Sequence, residues 1–345
     1  MNEVSVAIPV RDGGELLARA LAALAGQTVA HELLVCDSGS NDGSADVARA
    51  SGARVLEIAP ERFSHGGARN LLMREAEGSY VALLTQDAEP ADEHWLEHLL
   101  TGFELEPDVG ITFGPYAPRP QVAPAVRWEL ERWFTSLAPD GQPRLDRLSR
   151  QERPPEVPEP GLCALALIGA RGFFTDANAC IARPAWERVP FREVPYAEDR
   201  VLAIDMLRAG YAKVFVPQAA VLHSHDYTPV QELRRCFDEW RGLREVYGWR
   251  EPASPAHLLR QLRGALAAAQ ANLIGEGAPP ARRAATLLAV SGHHAVRLAG
   301  ALLGSRSDRL GTAVRQRVSL EGRASFAPLD LDAPASLHHT EEPSP

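Results

Sequence analysis

Glu57–Pro90 reads EIAPERFSHGGARNLLMREAEGSYVALLTQDAEP, and its second half decides the fold. Tyr80–Thr85 (YVALLT) is a short apolar run of strand type, closed by the polar group Gln86-Asp87-Ala88. A lone carboxylate just past the C-terminal end of a buried strand stands where open α/β sheets hold their ligands. Upstream, Phe63-Ser64-His65-Gly66-Gly67 leads into Arg69-Asn70 and a helical pattern over Gly66–Ala76. Glycine backbone, a helix N-terminus and a guanidinium in one place suit a diphosphate. An anion cradle beside a lone carboxylate predicts a nucleotide diphosphate held through a divalent metal.

Working outward, Val4–Val10 (VSVAIPV) reads as a buried first strand, with Pro9 predicting an early exit from the sheet. Leu16, Leu17, Ala20, Leu21 and Leu24 recur at helical spacing, and Gly26 closes that helix. Glu32–Cys36 is a second strand that stops at the turn cluster Asp37–Gly43; a short helix (Ser44–Ala50) and a third strand (Arg54–Ile58) follow. Strands alternating with helices of about ten residues specify a mostly parallel sheet with right-handed crossovers. Beyond Asp87 come a helix (Asp92–Phe103), a strand (Gly110–Gly114) and a helix over Val126–Leu137 with Trp128, Trp133 and Phe134 exposed or half-buried. Pro139–Pro160 is proline-rich and charged and reads as a loop, either a lid or disordered. Leu162–Ala182 is apolar again, and Glu198 opens a helix that ends at Gly210. Val214–Val216 and Ala220–Leu222 are short strands; helices over Val230–Tyr247, His257–Ile274 and Pro280–Leu303 follow, then a disordered tail from Ala324.

Length and composition narrow the chemistry. The 345 residues carry a net charge of −9, yet residues 231–323 hold 15 basic and 8 acidic side chains. That basic segment is either a solvated arginine face or a contact with an anionic membrane surface or polyanionic substrate. Lys213 is the single lysine, so P-loop and Schiff-base lysines are improbable; GxGxxG after the first strand and GxxxxGK[ST] are absent. Cys36, Cys163, Cys180 and Cys236 have neither CxxC nor framework spacing and fit a reducing cytosol without disulfide or zinc. A signal peptide is not evident, and no run reaches the roughly 18–20 apolar residues of a membrane span, which predicts a soluble or peripheral protein.

Two further groups carry candidate chemistry. Glu198 and Asp199 lie in a helix's first turn, where the dipole favours carboxylates for structural reasons as well as catalytic ones. His223 and His225 follow a strand end and are either structural or able to offer an imidazole to a metal beside Asp87.

Taken in order, IPVRDGG, VCDSGSNDGS, FSHGGARN, LTQDAEP, PFRE with AEDR, and HSHDYT resemble inverting family-two glycosyltransferases of the GT-A fold. Within them the chain is most similar to bacterial rhamnosyltransferases of cell-surface polysaccharide synthesis. The likeness covers about residues 3–245. It implies a GT-A domain over residues 1–229, a Rossmann-like mostly parallel sheet flanked by helices, with a helical extension over 230–323 and the tail over 324–345. It also implies transfer of a sugar, L-rhamnose from deoxythymidine-diphosphate rhamnose, to a hydroxyl acceptor that is a glycan or lipid-linked. Pro9, Val10 and Arg11 would line the base and ribose pocket, with Asp37 on the pyrimidine edge and Asp42 near it. Arg69 and Asn70 would face the diphosphate or sugar, and Gln86 the ribose. Asp87 matches the last acid of the family's DxD motif, with Thr85 in place of the first. Asp87 with His223 or His225 would hold Mn2+ or Mg2+, waters and diphosphate oxygens completing the shell. Asp199 matches the catalytic base, Glu198 its neighbour; Asn178 and Trp186 would face the acceptor. The implied location is cytoplasmic, with peripheral contact at the inner face of the plasma membrane through the basic helices. Three other readings remain open: the same scaffold with a hexose or N-acetylhexosamine donor, a non-catalytic nucleotide-sugar-binding component of an assembly complex, and a membrane-binding helical module.

Overall fold

The computed structural model describes residues 3–149, 171–194, 196–320 and 322. Its centre is an eight-stranded sheet of β1 (Val4–Val10), β2 (His31–Asp37), β3 (Arg54–Glu57), β4 (Tyr80–Leu84), β6 (Val109–Phe113), β8 (Arg144–Asp146), β9 (Asn178–Ala182) and β10 (Ala212–Phe215). The spatial order is β3-β2-β1-β4-β9-β6-β10-β8. The β3-β2-β1-β4 half is parallel, as is β6 with β10; β9 and β8 run antiparallel to their neighbours. Order reverses at β1, which opens a crevice at the C-terminal ends of β1 and β4.

The alternation of each strand divides the core in two. Ala7, Leu34, Cys36, Val81 and Leu83 face one layer, while Val6, Ile8, Val35, Ala82 and Leu84 face the other. Pro9 stays within β1 and remains in register with β2, but pairing with β4 ends at Ala7. The early exit is therefore from one neighbour only, the side on which the crevice opens.

Two expectations are corrected. Residues 144–146 of the expected loop form edge strand β8, antiparallel to β10. The cause is Lys213, fully buried on β10, whose ammonium needs a partner and finds Asp146 at 3.1 Å. Phe134, expected near the surface, is buried against Tyr116, Phe173 and Phe215. Residues 150–160 of that loop, 162–170 of the next apolar stretch, and the tail over 324–345 lie outside the described residues.

Beyond the sheet, helices Pro229–Tyr247, Pro255–Gly275 and Pro280–Gly304 stack together, followed by a short helix, Thr312–Val318. Thr228 caps the first with a reciprocal bond to Gln231, and Ser254 caps the second. Among the described residues Pro280–Gly304 is long and apolar enough to cross a membrane, which counting apolar runs had not indicated. The leucines, valines and alanines on either side of His293, His294 and Arg297 raise the mean hydropathy of its most apolar stretch to 1.2.

Candidate active site

Three very short strands build the site. β5 (Glu89–Pro90), β11 (Val221–Leu222) and β7 (Tyr116–Ala117) form a second sheet, with Leu222 opposite Glu89 on one side and Ala117 on the other. Asp87 precedes β5 by two residues, His223 follows β11 directly, and Arg119 follows β7 by two. One register thus gathers all three at the mouth of the crevice.

The Asp87, His223 and His225 ligand atoms lie within 4.8 Å of one another. His223 Nδ1 is 3.5 Å from Asp87 Oδ1, and His225 Nδ1 is 3.6 Å from Oδ2. Burial alone would raise the Asp87 pKa, but the two imidazoles outweigh it and the carboxyl stays below its usual range. Burial, and then His223, push the His225 imidazole down to about 4, so its lone pair is free at neutral pH. An ionised carboxylate and a neutral imidazole converging on one point are a donor set that fits a divalent cation.

Arg119 joins the segments that carry these groups. Its Nη2 donates to the Asp87 carbonyl (2.8 Å), its Nη1 to Glu89 Oε2 (3.0 Å), and its backbone N–H to Ser224 Oγ (3.0 Å). The Tyr116 ring meets His223 edge-on at 4.6 Å, and His225 stacks on Tyr227 at 4.8 Å. Neither Arg119 nor Tyr116 was legible as a site residue, because two-residue strands leave no periodic signal.

The opposite wall is the start of the Glu198–Ala209 helix, entered through Ala197 in the left-handed region at φ 61°. Arg69, 3% exposed, donates to Asp176 Oδ1 (2.6 Å) and lies 3.2 Å from Glu198. The expected phosphate cradle is therefore closed by the protein's own carboxylates. Gly67 N–H is capped by Ser64, and a Cβ on Gly66 would stand 2.5 Å from the Arg192 carbonyl, so that glycine serves a close backbone approach. Burial, and then the Glu198 charge, raise the Asp199 pKa to about 6. Asp176 is likewise pushed well above the usual carboxylate range by burial, despite Arg69. Asp176 was not anticipated: nothing near it in sequence announces its partner 107 residues away.

Both walls, with Pro9, Val10, Arg11 and Gln86, border one cleft of about 890 Å³. Glu232, Arg235 and Arg297, from the helices past residue 229, line it too. A second cavity of about 580 Å³, near Leu21, His31 and Glu32, includes none of the expected site residues.

Other expected residues are engaged elsewhere. The Gln86 amide exchanges two hydrogen bonds with the Arg11 backbone, locking the end of β1 to that of β4. Asp37 accepts from the Gly39 and Ser40 backbone, and Asp42 from Gly14 and Ser44; neither lines the cleft. Asn70, buried, binds the Phe191 backbone and accepts from Trp186 Nε1 at 2.8 Å, which places both in the wall behind the site. Asn178 accepts from Trp95 Nε1 and donates to the Pro115 and Ala219 carbonyls, tying β9 to its surroundings rather than facing the cleft.

Residues 5–150 match the profile of glycosyl transferase family 2. That stretch is less than half of the chain. The chain is 29% identical to the O-antigen chain rhamnosyltransferase WbaN of Salmonella anatum over 212 residues, 60% of this chain and 61% of that protein. It is 28% identical to RfbN of Salmonella typhimurium, another O-antigen chain rhamnosyltransferase, over 68% of this chain and 71% of that protein. Among solved structures, a mannosyltransferase from Pyrobaculum calidifontis in complex with GDP-Man and Mn2+ superimposes with a TM-score of 0.55 at 19% identity, covering 88% and 87% of the two chains. The shared architecture is the GT-A fold.

Proposed function

We propose that this chain is a glycosyltransferase that moves L-rhamnose from deoxythymidine-diphosphate rhamnose to a hydroxyl of a cell-surface polysaccharide acceptor, inverting the anomeric carbon. The observation that carries this reading is one cleft with Asp87, His223 and His225 on one wall and a carboxyl held near pH 6, Asp199, on the other. The names of the two O-antigen relatives support the donor and the acceptor class.

Asp87, ionised, and His225, neutral, are suited to hold a divalent cation, with Mn2+ the first to try given the mannosyltransferase complex. When bound, such an ion supplies positive charge to a departing diphosphate. Asp199 takes the proton of the acceptor hydroxyl as its oxygen bonds to the anomeric carbon. The bond from that carbon to the diphosphate oxygen breaks, and the nucleoside diphosphate leaves. Glu198 keeps the Asp199 carboxyl basic enough to act near neutral pH, and Arg69 keeps Glu198 and Asp176 in place. Residues 1–229 supply this machinery and residues 230–323 complete the acceptor end. The buried free thiols Cys36, Cys180 and Cys236 suit a cytoplasmic protein.

A thermal-shift screen of nucleotide sugars with and without Mn2+ tests the reading. Deoxythymidine-diphosphate rhamnose is expected to raise the melting temperature, and more so with the ion, since ligand at a hundredfold excess over Kd adds about 2.7 kcal/mol. A larger shift with another hexose or N-acetylhexosamine donor reassigns the sugar alone. No shift with any nucleotide sugar, with or without metal, overturns the function.

A further inference from the structure

Asp176 and its neighbour Thr175 belong to a run, 171–177, that has no strand or helix of its own and takes its place from the side chains around it. The Phe173 carbonyl accepts from Lys213 Nζ at 2.6 Å, Phe174 is fully buried against Phe113, and Asp176 is held by Arg69. Thr175 is buried, and its hydroxyl accepts from the Ala177 N–H at 3.4 Å and pairs with the Tyr116 hydroxyl. Through Asp176 and Arg69 this run is one piece with Glu198 and Asp199, the acid wall of the cleft.

Tyr116 belongs to the other wall. It lies on β7, beside the β11 strand that delivers His223; its ring packs on Phe134 at 5.0 Å and meets His223 edge-on at 4.6 Å. Burial raises the Tyr116 pKa, the Thr175 hydrogen bond offsets part of that, and the charges of Asp199, Asp176 and Asp87 raise it further, so the group stays a neutral hydroxyl. One side chain therefore touches a candidate ligand with its ring and the acid wall with its hydroxyl, and both Tyr116 and Thr175 line the cleft. Asn178 ties the same two segments outside the cleft, donating to the Pro115 carbonyl at 3.0 Å. An inverting displacement needs the base and the leaving group on opposite sides of one carbon, so the separation of the two walls has to be fixed. A misplacement of about 1 Å can cost a hundredfold in rate.

We propose that the Tyr116–Thr175 hydrogen bond is a brace across the cleft, which sets the distance between the wall of Asp87, His223 and His225 and the wall of Asp199. Tyr116 and Thr175 are then positioning residues for transfer, acting through those groups. The inference rests on the function proposed above.

Tyr116→Phe tests it, because the variant keeps the ring contacts and loses only the hydroxyl. Turnover is read as release of deoxythymidine diphosphate from deoxythymidine-diphosphate rhamnose with water as acceptor, and Mn2+ and donor affinities are read by calorimetry. The variant is expected to lose about ten- to a hundredfold in kcat, with Mn2+ and donor affinities unchanged. Thr175→Val should cost about as much, and the double variant no more than either single change, because each removes the same bond. Thr175→Ser, which keeps a hydroxyl, should retain most of the turnover. Unchanged kcat in Tyr116→Phe, losses that multiply in the double variant, or an Mn2+ affinity that falls together with kcat overturns the proposal. So does a lowered melting temperature at unchanged kcat, since the pair then serves folding alone. Each of these outcomes leaves the proposed function standing, whereas a wild type that releases no nucleotide defeats that function and the brace with it.

Discussion

Asp199 is flanked by Glu198 and lies in a wall where buried Arg69 is already shared by Glu198 and Asp176, while the charges of Arg200 and Arg69 offset only part of the cost of burial. A second negative charge there is poorly compensated, which is why its carboxyl is raised from 3.8 to about 6. If the carboxylate is the base, kcat/KM rises about tenfold per pH unit below 6 and levels above it. A flat profile between pH 5 and 7 rules the role out. Asp199→Asn should lower transfer roughly a hundred- to ten-thousand-fold with donor binding intact. Its stability should move the other way. Because the folded pKa exceeds the unfolded value, the cost of charging Asp199 in the folded protein builds up as pH climbs from about 4 to 6, is complete above 6 and is absent below about 4. The Asn variant should therefore melt higher than wild type at pH 8, by on the order of 1 kcal/mol for a side chain at a cleft wall, with the difference shrinking between pH 6 and pH 4 and absent below that. The Glu-Asp pair was legible because both carboxylates are adjacent and begin a helix. The partners that tune them were not, because Arg69 and Asp176 meet only after the chain has folded.

Elements show the same division. The β1–β4 half was legible from apolar runs and turn clusters, since buried parallel strands announce themselves by composition. β5, β7 and β8 were not: two or three residues have no period, and β8 depends on the distant ammonium of Lys213. Yet the two-residue strands set the relative positions of Asp87, His223 and His225. Arg119, bonded to Asp87, Glu89 and Ser224, is the side chain that keeps them in register. Arg119→Met is expected to weaken Mn2+ binding roughly ten- to a hundredfold by calorimetry, with metal-free nucleotide binding little changed and partial rescue by Arg119→Lys. A lowered melting temperature with unchanged Mn2+ affinity would mark Arg119 as a strut of the fold and nothing more.

At the scale of the molecule, the sequence disclosed that the C-terminal third is basic but not that its arginines divide between an inner and an outer side. Arg297 represents the inner side. It bridges Glu232 (3.0 Å) and Glu129 (3.3 Å), fastening Pro280–Gly304 to the helix Pro124–Leu137, whose Val126 and Leu130 line the cleft. Burial alone would raise the Glu129 pKa; the His293 imidazole 3.8 Å away and the Arg297 charge outweigh it and hold the carboxyl at about 2. Since that pKa is depressed by folding, the stability it contributes is fully present above about 4.5 and is lost as pH falls toward 2. Arg297→Met should accordingly destabilise by about 1–3 kcal/mol at pH 7, as expected when a half-buried charge pair loses one partner, with a deficit that shrinks as pH drops from 5 to 3. Because the helix it releases borders the cleft, at the end proposed above for the acceptor, the KM for acceptor should rise while donor affinity stays put. A deficit independent of pH would mean that Glu129 is not charged through Arg297, and an unchanged acceptor KM would mean that the extension braces the fold without shaping the cleft.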